Sequence, residues 1–268
     1  MSIWITGDIH GEPNWRLSTK FFPQQCEFGD DKSENVVIIL GDFGVIWGSE
    51  ETVKETYWLN WLEKKPFTVV FIDGNHDNIP RLDSFPEVEW CGGVVNKIRS
   101  NIFRLKRGEV YTIQGKKFFA FGGARSHDIQ DGILDPADYS SREEFERVHR
   151  EWTFSCKYFR VKNETWWEEE LPTEAEMQHG LDNLEKHDWC VDYILSHTPS
   201  TSIVKALRGN RGEPDVLTDY LDKIRSLTEF KVHFAGHMHV TQVIGDKDIL
   251  LYGDFVSLGG DIDEVLYG

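Results

Sequence analysis

The sequence predicts an α/β fold with a mixed central sheet. Short apolar runs that suit buried strands recur along the chain, and segments with helical periodicity separate several of them. One predicted unit consists of a strand at 36–40, an amphipathic helix at 50–64 and a strand at 69–72. This order requires a parallel pair of strands joined by a crossover. Apolar runs at 110–113 and 118–121 predict an antiparallel hairpin. Parallel and antiparallel pairs together make the sheet mixed.

Further elements follow from capping and turn residues. Thr173 and Glu176 have the spacing of a capping box, which predicts a helix from there to about residue 187. Glu213-Pro214-Asp215 marks the start of another helix. The remaining predicted strands are 2–6, 191–195, 232–235, 249–252 and 255–258.

A single domain spanning 1–268 is expected, because polar motifs near both ends of the chain belong to one proposed site. Between residues 127 and 173 the pattern loosens, with Asp, Pro and Ser followed by many aromatic residues. Two hypotheses fit this segment equally well. It is either an inserted cap or lid, or a helical excursion that covers one edge of the sheet.

The chain carries a formal net charge of −17, which disfavours the binding of nucleic acid over a broad positively charged surface. A phosphate-bearing substrate stays open, because bound cations would make one region positive whatever the outer surface carries. The four cysteines have no metal or redox spacing, and we expect buried free thiols. Neither a signal peptide nor a long apolar run is present, so we expect a cytoplasmic protein with no membrane contact.

Five short polar motifs, each placed after a predicted strand, carry most of the functional information. Open α/β sheets place their sites at such strand ends. The motifs are Asp8-Ile9-His10, Gly41-Asp42-Phe43-Gly44, Gly74-Asn75-His76-Asp77, Ser196-His197-Thr198-Pro199 and Gly236-His237-Met238-His239.

Each motif supplies side chains that can bind a metal ion. Asp8 and His10 are two residues apart, so both can leave a strand on the same face. Asp42 has two carboxylate oxygens, as a ligand shared by two ions requires. Asn75 offers an amide oxygen, and the histidines of the last two motifs offer ring nitrogens. Each motif alone has an ordinary structural explanation, but five together indicate a two-metal site.

Oxygen and nitrogen ligands without thiolate suit manganese, iron or zinc, and manganese is our first choice. Two divalent ions, two aspartates and a bridging hydroxide would leave a net positive charge of about one. An anionic ester would be attracted to that charge.

In order and interval, the five motifs resemble the calcineurin-like metallophosphoesterases over residues 8 to 239. The resemblance implies a four-layer α/β/β/α sandwich with two central mixed sheets. It also implies attack on a phosphate mono- or diester by a metal-bridging hydroxide. It assigns one ion to Asp8, His10, Asp42 and His239, and the other to Asp42, Asn75, His197 and His237.

The same resemblance makes His76 the candidate that assists the leaving group. Asp77 is carried as a second catalytic candidate that could orient His76, with a local turn cap as the equal alternative. Arg125 follows a predicted strand, from where it could reach a phosphate, although a surface arginine on a loop is at least as good an interpretation.

The chain departs from the protein Ser/Thr phosphatase branch after Asp42, where that branch has Asp-Arg-Gly, and after His76, where it has Glu. A small-molecule or nucleotide phosphate ester is therefore the expected substrate. Two alternatives stay open: a nuclease or nucleic-acid end-processing phosphatase, and a non-catalytic scaffold stabilised by metal. Mono- or diester preference, the metal and the oligomeric state are not fixed by the sequence.

Overall fold

A computed structural model describes residues 1–209 and 213–259. The seven helices of this part are α1 (Asn14–Leu17), α2 (Val53–Glu63), α3 (Ile79–Asp83), α4 (Arg142–Phe154), α5 (Glu174–Lys186), α6 (Thr201–Arg208) and α7 (Val216–Leu227). Its strands are β1 (Ser2–Thr6), β2 (Asn35–Ile39), β3 (Thr68–Phe71), β4 (Glu87–Trp90), β5 (Gly93–Arg99), β6 (Ile102–Leu105), β7 (Glu109–Ile113), β8 (Lys116–Phe121), β9 (Gly132–Leu134), β10 (Phe159–Val161), β11 (Tyr193–Ser196), β12 (Val232–Ala235), β13 (Gln242–Ile244), β14 (Asp248–Leu250) and β15 (Phe255–Ser257).

Two large sheets form the centre of the fold. The first has seven strands in the order β15-β1-β2-β3-β6-β5-β4, and the second has six in the order β13-β14-β12-β11-β8-β7. Strands β1, β2, β3 and β6 run parallel, as do β8, β11, β12 and β14. Antiparallel strands close both edges of each sheet. Both sheets are therefore mixed.

Alternating side chains of the central strands explain the layers. Val36 and Ile38 of β2 face the second sheet and share one apolar core with Phe118 and Phe234. Their neighbours along β2 point to the opposite face and pack with α1, α2 and α3. Helices α5 and α7 cover the outer face of the second sheet in the same way. The result is the four-layer α/β/β/α sandwich that the resemblance implied.

The predicted elements differ from the structure mainly by one to three residues at their ends. The capping box at Thr173 and Glu176 is present, and Asp215 caps α7. The elements that were not predicted include helices α1 and α6 and strands β4, β5, β6, β9, β10 and β13. The cysteines are unpaired as expected, but the prediction that they are buried was wrong, since three are exposed and Cys91 is half-buried. Within residues 1–209 and 213–259, no helix has the length and apolar character needed to cross a membrane.

The segment 127–173 contains helix α4 and a separate parallel pair formed by β9 and β10. Trp152 of α4 contacts Phe159 of β10 edge to face, so an aromatic contact joins the helix to this pair, although no residue of α4 is buried. A mobile cap stays a prediction, as does the single domain spanning 1–268.

One buried ion-pair network joins elements of the two sheets. Asp73, which follows β3, is fully buried and accepts hydrogen bonds from two arginines. Arg104 donates to its Oδ1 at 2.8 and 3.0 Å, and Arg107 donates to its Oδ2 at 2.7 and 2.9 Å. Burial would raise the pKa of Asp73, but the two guanidinium groups outweigh it and lower the pKa to about 2. The carboxylate therefore stays charged.

We expect Arg107→Ala to lower the free energy of unfolding by about 3–5 kcal/mol, because one oxygen of a buried carboxylate loses its partner. Chemical denaturation measures this directly. Arg142→Ala is the control, since Arg142 is 90% exposed and its pair with Glu146 should contribute at most about 1 kcal/mol. Equal losses in the two variants would contradict the role given to the buried network.

Candidate active site

The five polar motifs meet where the parallel strands of the two sheets end. Asp8, Asp42 and Asn75 follow β1, β2 and β3 of the first sheet. His197 follows β11 of the second sheet, and the motif with His237 and His239 follows β12. The two sheets are aligned so that residues far apart in the chain become neighbours. The structure thus brings together all seven predicted ligands.

Four of them form what we call the outer group: Asp8, His10, Asp42 and His239. One ligand-capable atom from each lies within 4.8 Å of the others. Nε2 of His239 is 3.2 Å from Oδ2 of Asp8 and 3.0 Å from Nε2 of His10. Nδ1 of His10 lies 3.7 Å from Oδ2 of Asp42. This set is the one that the family resemblance assigns to a single ion.

The inner group consists of Asp42, Asn75, His197 and His237. Nε2 of His197 is 3.3 Å from Oδ1 of Asp42 and 3.3 Å from Oδ1 of Asn75. Nδ1 of His197 lies 2.7 Å from the carbonyl of Leu40, which fixes the ring and turns Nε2 towards the group. The ring of His237 lies 5.0 Å from that of His197, centre to centre.

The backbone at these positions adopts a conformation that few residues take. His10, Asp42, His237 and His239 have φ values of 47°, 44°, 62° and 51°. Left-handed backbone is uncommon outside glycine, and it concentrates at functional sites where the surrounding structure holds it in place. The tight turns direct these side chains towards one another.

Two glycines leave the space that ligand side chains occupy. A Cβ at Gly74 would lie 2.1 Å from Oδ1 of Asp42, and one at Gly236 would lie 2.3 Å from Oδ1 of Asp8. No side chain fits at either place without moving a carboxylate. The glycine in each motif is thus explained by close packing against a ligand from another strand.

A family model for calcineurin-like phosphoesterases matches residues 1–241, which is most of the chain and includes all five motifs. The chain belongs to the calcineurin-like phosphoesterase family. None of the curated proteins matches it.

Among solved structures, this chain is similar to a Staphylococcus aureus protein provisionally assigned as a 5'-nucleotidase and crystallised with α-ketoglutarate. The two are 13% identical, with a TM-score of 0.45. The match covers 97% of this chain and 51% of the other, so this chain spans about half the length of that protein.

The oxygen and nitrogen donors of the two groups fit divalent metal ions. Oδ2 of Asp8 is buried without a hydrogen-bond donor of suitable geometry, although His239 is near it. Burial would lower the pKa of His197, but Asp42 and Asp8 outweigh it and raise the pKa to about 10. The carboxylates therefore favour positive charge between them, and oxygen and imidazole ligands suit manganese, iron or zinc.

His76 lies at the edge of this cluster rather than inside it. Its main-chain N–H donates to Oδ1 of Asp42 at 2.8 Å, and its ring lies 5.5 Å from that of His10 and 6.0 Å from that of Trp47, centre to centre. Burial lowers the pKa of His76, while Asp42 opposes the shift. The imidazole is thus close to the ligands and free to meet a substrate.

Asp77 is fully buried and contacts main chain. Its carboxylate accepts hydrogen bonds from the N–H groups of Phe43, Gly44 and Gly74 at 3.2, 2.7 and 2.9 Å. It thereby joins the loops after β2 and β3, and the cap of α3 is Asn78 instead. These contacts make Asp77 a residue that positions the loops, and its predicted catalytic role stays a prediction.

A buried hydrogen-bond chain orients Asn75. Its Nδ2 donates to Oγ of Ser126 at 3.3 Å, and that hydroxyl donates to Oε2 of Glu170 at 2.5 Å. The amide nitrogen is engaged on this side, so Oδ1 faces the inner group. Sequence reasoning missed Ser126 and Glu170 because neither lies in a motif, and only the fold brings them together.

The segment 127–173 also contributes side chains that sequence reasoning missed. Nε2 of His127 is 3.1 Å from Nε2 of His237, and Tyr158 and Asp128 line the cavity above the ligands. Asp128 pairs with Arg160 of β10. Arg125 is exposed and lines a neighbouring cleft with His237, so its substrate contact stays a prediction. The sequence has a small basic cluster of Lys205, Arg208 and Arg211 after His197, and of these Arg211 lies outside the described residues.

We expect Gly236→Ala to weaken Mn²⁺ binding by about tenfold or more, because the added methyl group displaces the Asp8 carboxylate. Titration calorimetry measures the affinity, and circular dichroism checks that the fold survives. Gly29→Ala is the matched control, since nothing lies within 4 Å of a Cβ there. Unchanged Mn²⁺ affinity in a folded Gly236→Ala protein would contradict the tight packing.

Proposed function

We propose that this protein is a divalent-metal-dependent phosphoesterase that hydrolyses a small-molecule or nucleotide phosphate mono- or diester. The observation that carries the proposal is the outer group, in which four side chains from three strand ends converge within 4.8 Å. The inner group adjoins it and shares Asp42. The family match supports phosphoester chemistry at this place.

Asp42 is suited to the shared position. Its Oδ2 faces His10 of the outer group, while its Oδ1 faces His197 of the inner group. Burial would raise the pKa of Asp42, but the surrounding imidazoles outweigh it and hold the pKa well below its usual range. The carboxylate is therefore charged at every working pH.

Two bound divalent ions would supply Lewis acidity, lower the pKa of a water that attacks phosphorus in line, and neutralise phosphoryl charge. The seven ligands would hold them, with manganese as first choice and iron or zinc as alternatives. Four unpaired cysteines suit the reducing cytoplasm, which we propose as the location.

His76 would hold the proton that the leaving oxygen needs. Burial keeps its pKa low in the free protein. An anionic ester beside the ring would raise that pKa again, because a neighbouring negative charge favours the imidazolium form. The proton would then be present when substrate is bound and pass to the departing oxygen.

The first test is hydrolysis of an aryl phosphate monoester and an aryl phosphate diester with added Mn²⁺. We expect turnover of at least one ester, loss of activity with EDTA and recovery with Mn²⁺. Asp42→Asn should abolish turnover and weaken Mn²⁺ binding, because the shared ligand is lost. Absence of turnover for both esters in protein shown to hold Mn²⁺ would favour a non-catalytic scaffold instead.

The second test concerns His76 and uses two leaving groups. For phenyl phosphate, we expect His76→Asn to lower kcat by about 10²-fold or more, because phenolate leaves poorly without a proton. For p-nitrophenyl phosphate the loss should be much smaller, since nitrophenolate needs no proton. His179→Asn is the control, because His179 is 46% exposed and pairs with Glu109. Equal losses for both esters would show that His76 does not donate the proton.

A further inference from the structure

A cleft of about 510 Å³ opens from the site on the side of His10 and His76. We call it the tryptophan cleft, because the indoles of Trp47 and Trp58 form its walls. Its volume lies in the range of small-molecule sites, which runs from about 300 to 1,000 Å³. The cleft is thus continuous with the candidate active site and large enough for a substrate group.

The surfaces of the cleft suit a flat apolar group. Main chain at Gly11, Gly44 and Gly48 contributes to the lining without side chains, and Val45 adds an apolar contact. Planar π-systems stack well on indole rings and bury much apolar area at little cost in flexibility. A branched or strongly hydrated group would gain less from these walls.

The charges of the lining are mostly balanced within the protein. Arg160 pairs with Asp128, and buried Glu55 accepts two hydrogen bonds from Arg81 at 2.6 and 2.7 Å. Lys54 is exposed. The neighbouring cleft beside His237 has Glu213 and Asp215 as well as Arg125 and Arg208 in its lining, so aromatic walls rather than charge distinguish the tryptophan cleft.

The position of His76 decides which part of an ester would enter. Its ring lines the tryptophan cleft together with His10 of the outer group. In hydrolysis a bond forms between phosphorus and the water oxygen, the ester P–O bond breaks, and the leaving oxygen takes a proton from an acid. If His76 is that acid, the leaving group extends from phosphorus into this cleft.

We propose that the tryptophan cleft is the leaving-group subsite, and that it takes a planar aromatic group up to the size of a nucleoside. This inference rests on the proposed phosphoesterase function. An aryl alcohol and a nucleoside share the required chemistry, and the two are separated experimentally below.

The binding test compares two non-hydrolysable anions on Mn²⁺-loaded protein by titration calorimetry. Phenylphosphonate should bind at least about tenfold more tightly than methylphosphonate, because only the phenyl ring fills the cleft. Trp58→Ala should remove most of that difference and leave methylphosphonate affinity unchanged. Trp15→Ala, which removes a tryptophan that is 62% exposed and outside the cleft, should keep the difference.

The outcomes separate this inference from the function on which it rests. Equal binding of both phosphonates overturns the subsite and leaves the phosphoesterase proposal standing. Failure of both to bind to protein that holds Mn²⁺ overturns the phosphate site and the subsite together. The wild-type comparison needs no variant, so it decides the question even if Trp58→Ala does not fold.

Turnover then identifies the source of the aromatic group. We expect a higher kcat/KM for adenosine 5'-monophosphate or phenyl phosphate than for glycerol phosphate. Preference for the nucleotide supports a nucleoside, and preference for phenyl phosphate supports an aryl alcohol. Glycerol phosphate as good a substrate as both would overturn the proposal.

Discussion

The site depends on the fully buried carboxylate of Asp73 and its two arginines. Arg104 comes from β6 of the first sheet. Arg107 lies in the loop that connects β6 to β7 of the second sheet, and it also donates to the carbonyl of Glu169 at 2.8 Å. The main-chain carbonyl of Asp73 accepts from the N–H of Gly123, at the end of β8. One residue thus fixes the end of β3 against both sheets. Asn75 and His76 lie two and three residues further along the chain, so the contacts of Asp73 also hold them in place.

A second series of buried hydrogen bonds joins strands of the second sheet. Ser196, His233 and Asp248 lie in line, with Oγ of Ser196 at 2.7 Å from one ring nitrogen and the carboxylate at 2.9 Å from the other. The arrangement has the residue types of a hydrolase triad, but all three are at most 5% exposed, so no substrate reaches the serine. It links β11 and β12 to the start of β14. Candidate ligands follow the ends of both β11 and β12.

The sequence predicted correctly those elements of the fold that depend on a local pattern of residues. Apolar runs located β1 and β12 to the residue, and the capping box located α5, because periodicity and caps act over a few neighbouring residues. The grouping of ligands into two sets came from the resemblance. Strands β4 and β5 were missed because they form an antiparallel edge with polar residues among the apolar ones. Strand β6 was missed because it is only four residues long and includes Arg104. Glu170 and Arg160 were missed because only tertiary contacts place them near the motifs.

The glycines beside the ligands also affect how such a site can evolve. Each one leaves room for a carboxylate from a different strand, as Gly74 does for Asp42 and Gly236 does for Asp8. Main-chain atoms also lie close, since the same added Cβ would be 2.5 Å from the nitrogen of Asp42 at Gly74 and 2.7 Å from the carbonyl oxygen of Leu40 at Gly236. A lineage that lost either carboxylate would therefore still need glycine at both positions. The space of the lost carboxylate would stay open, so a single substitution could restore it while the sandwich around it stayed intact.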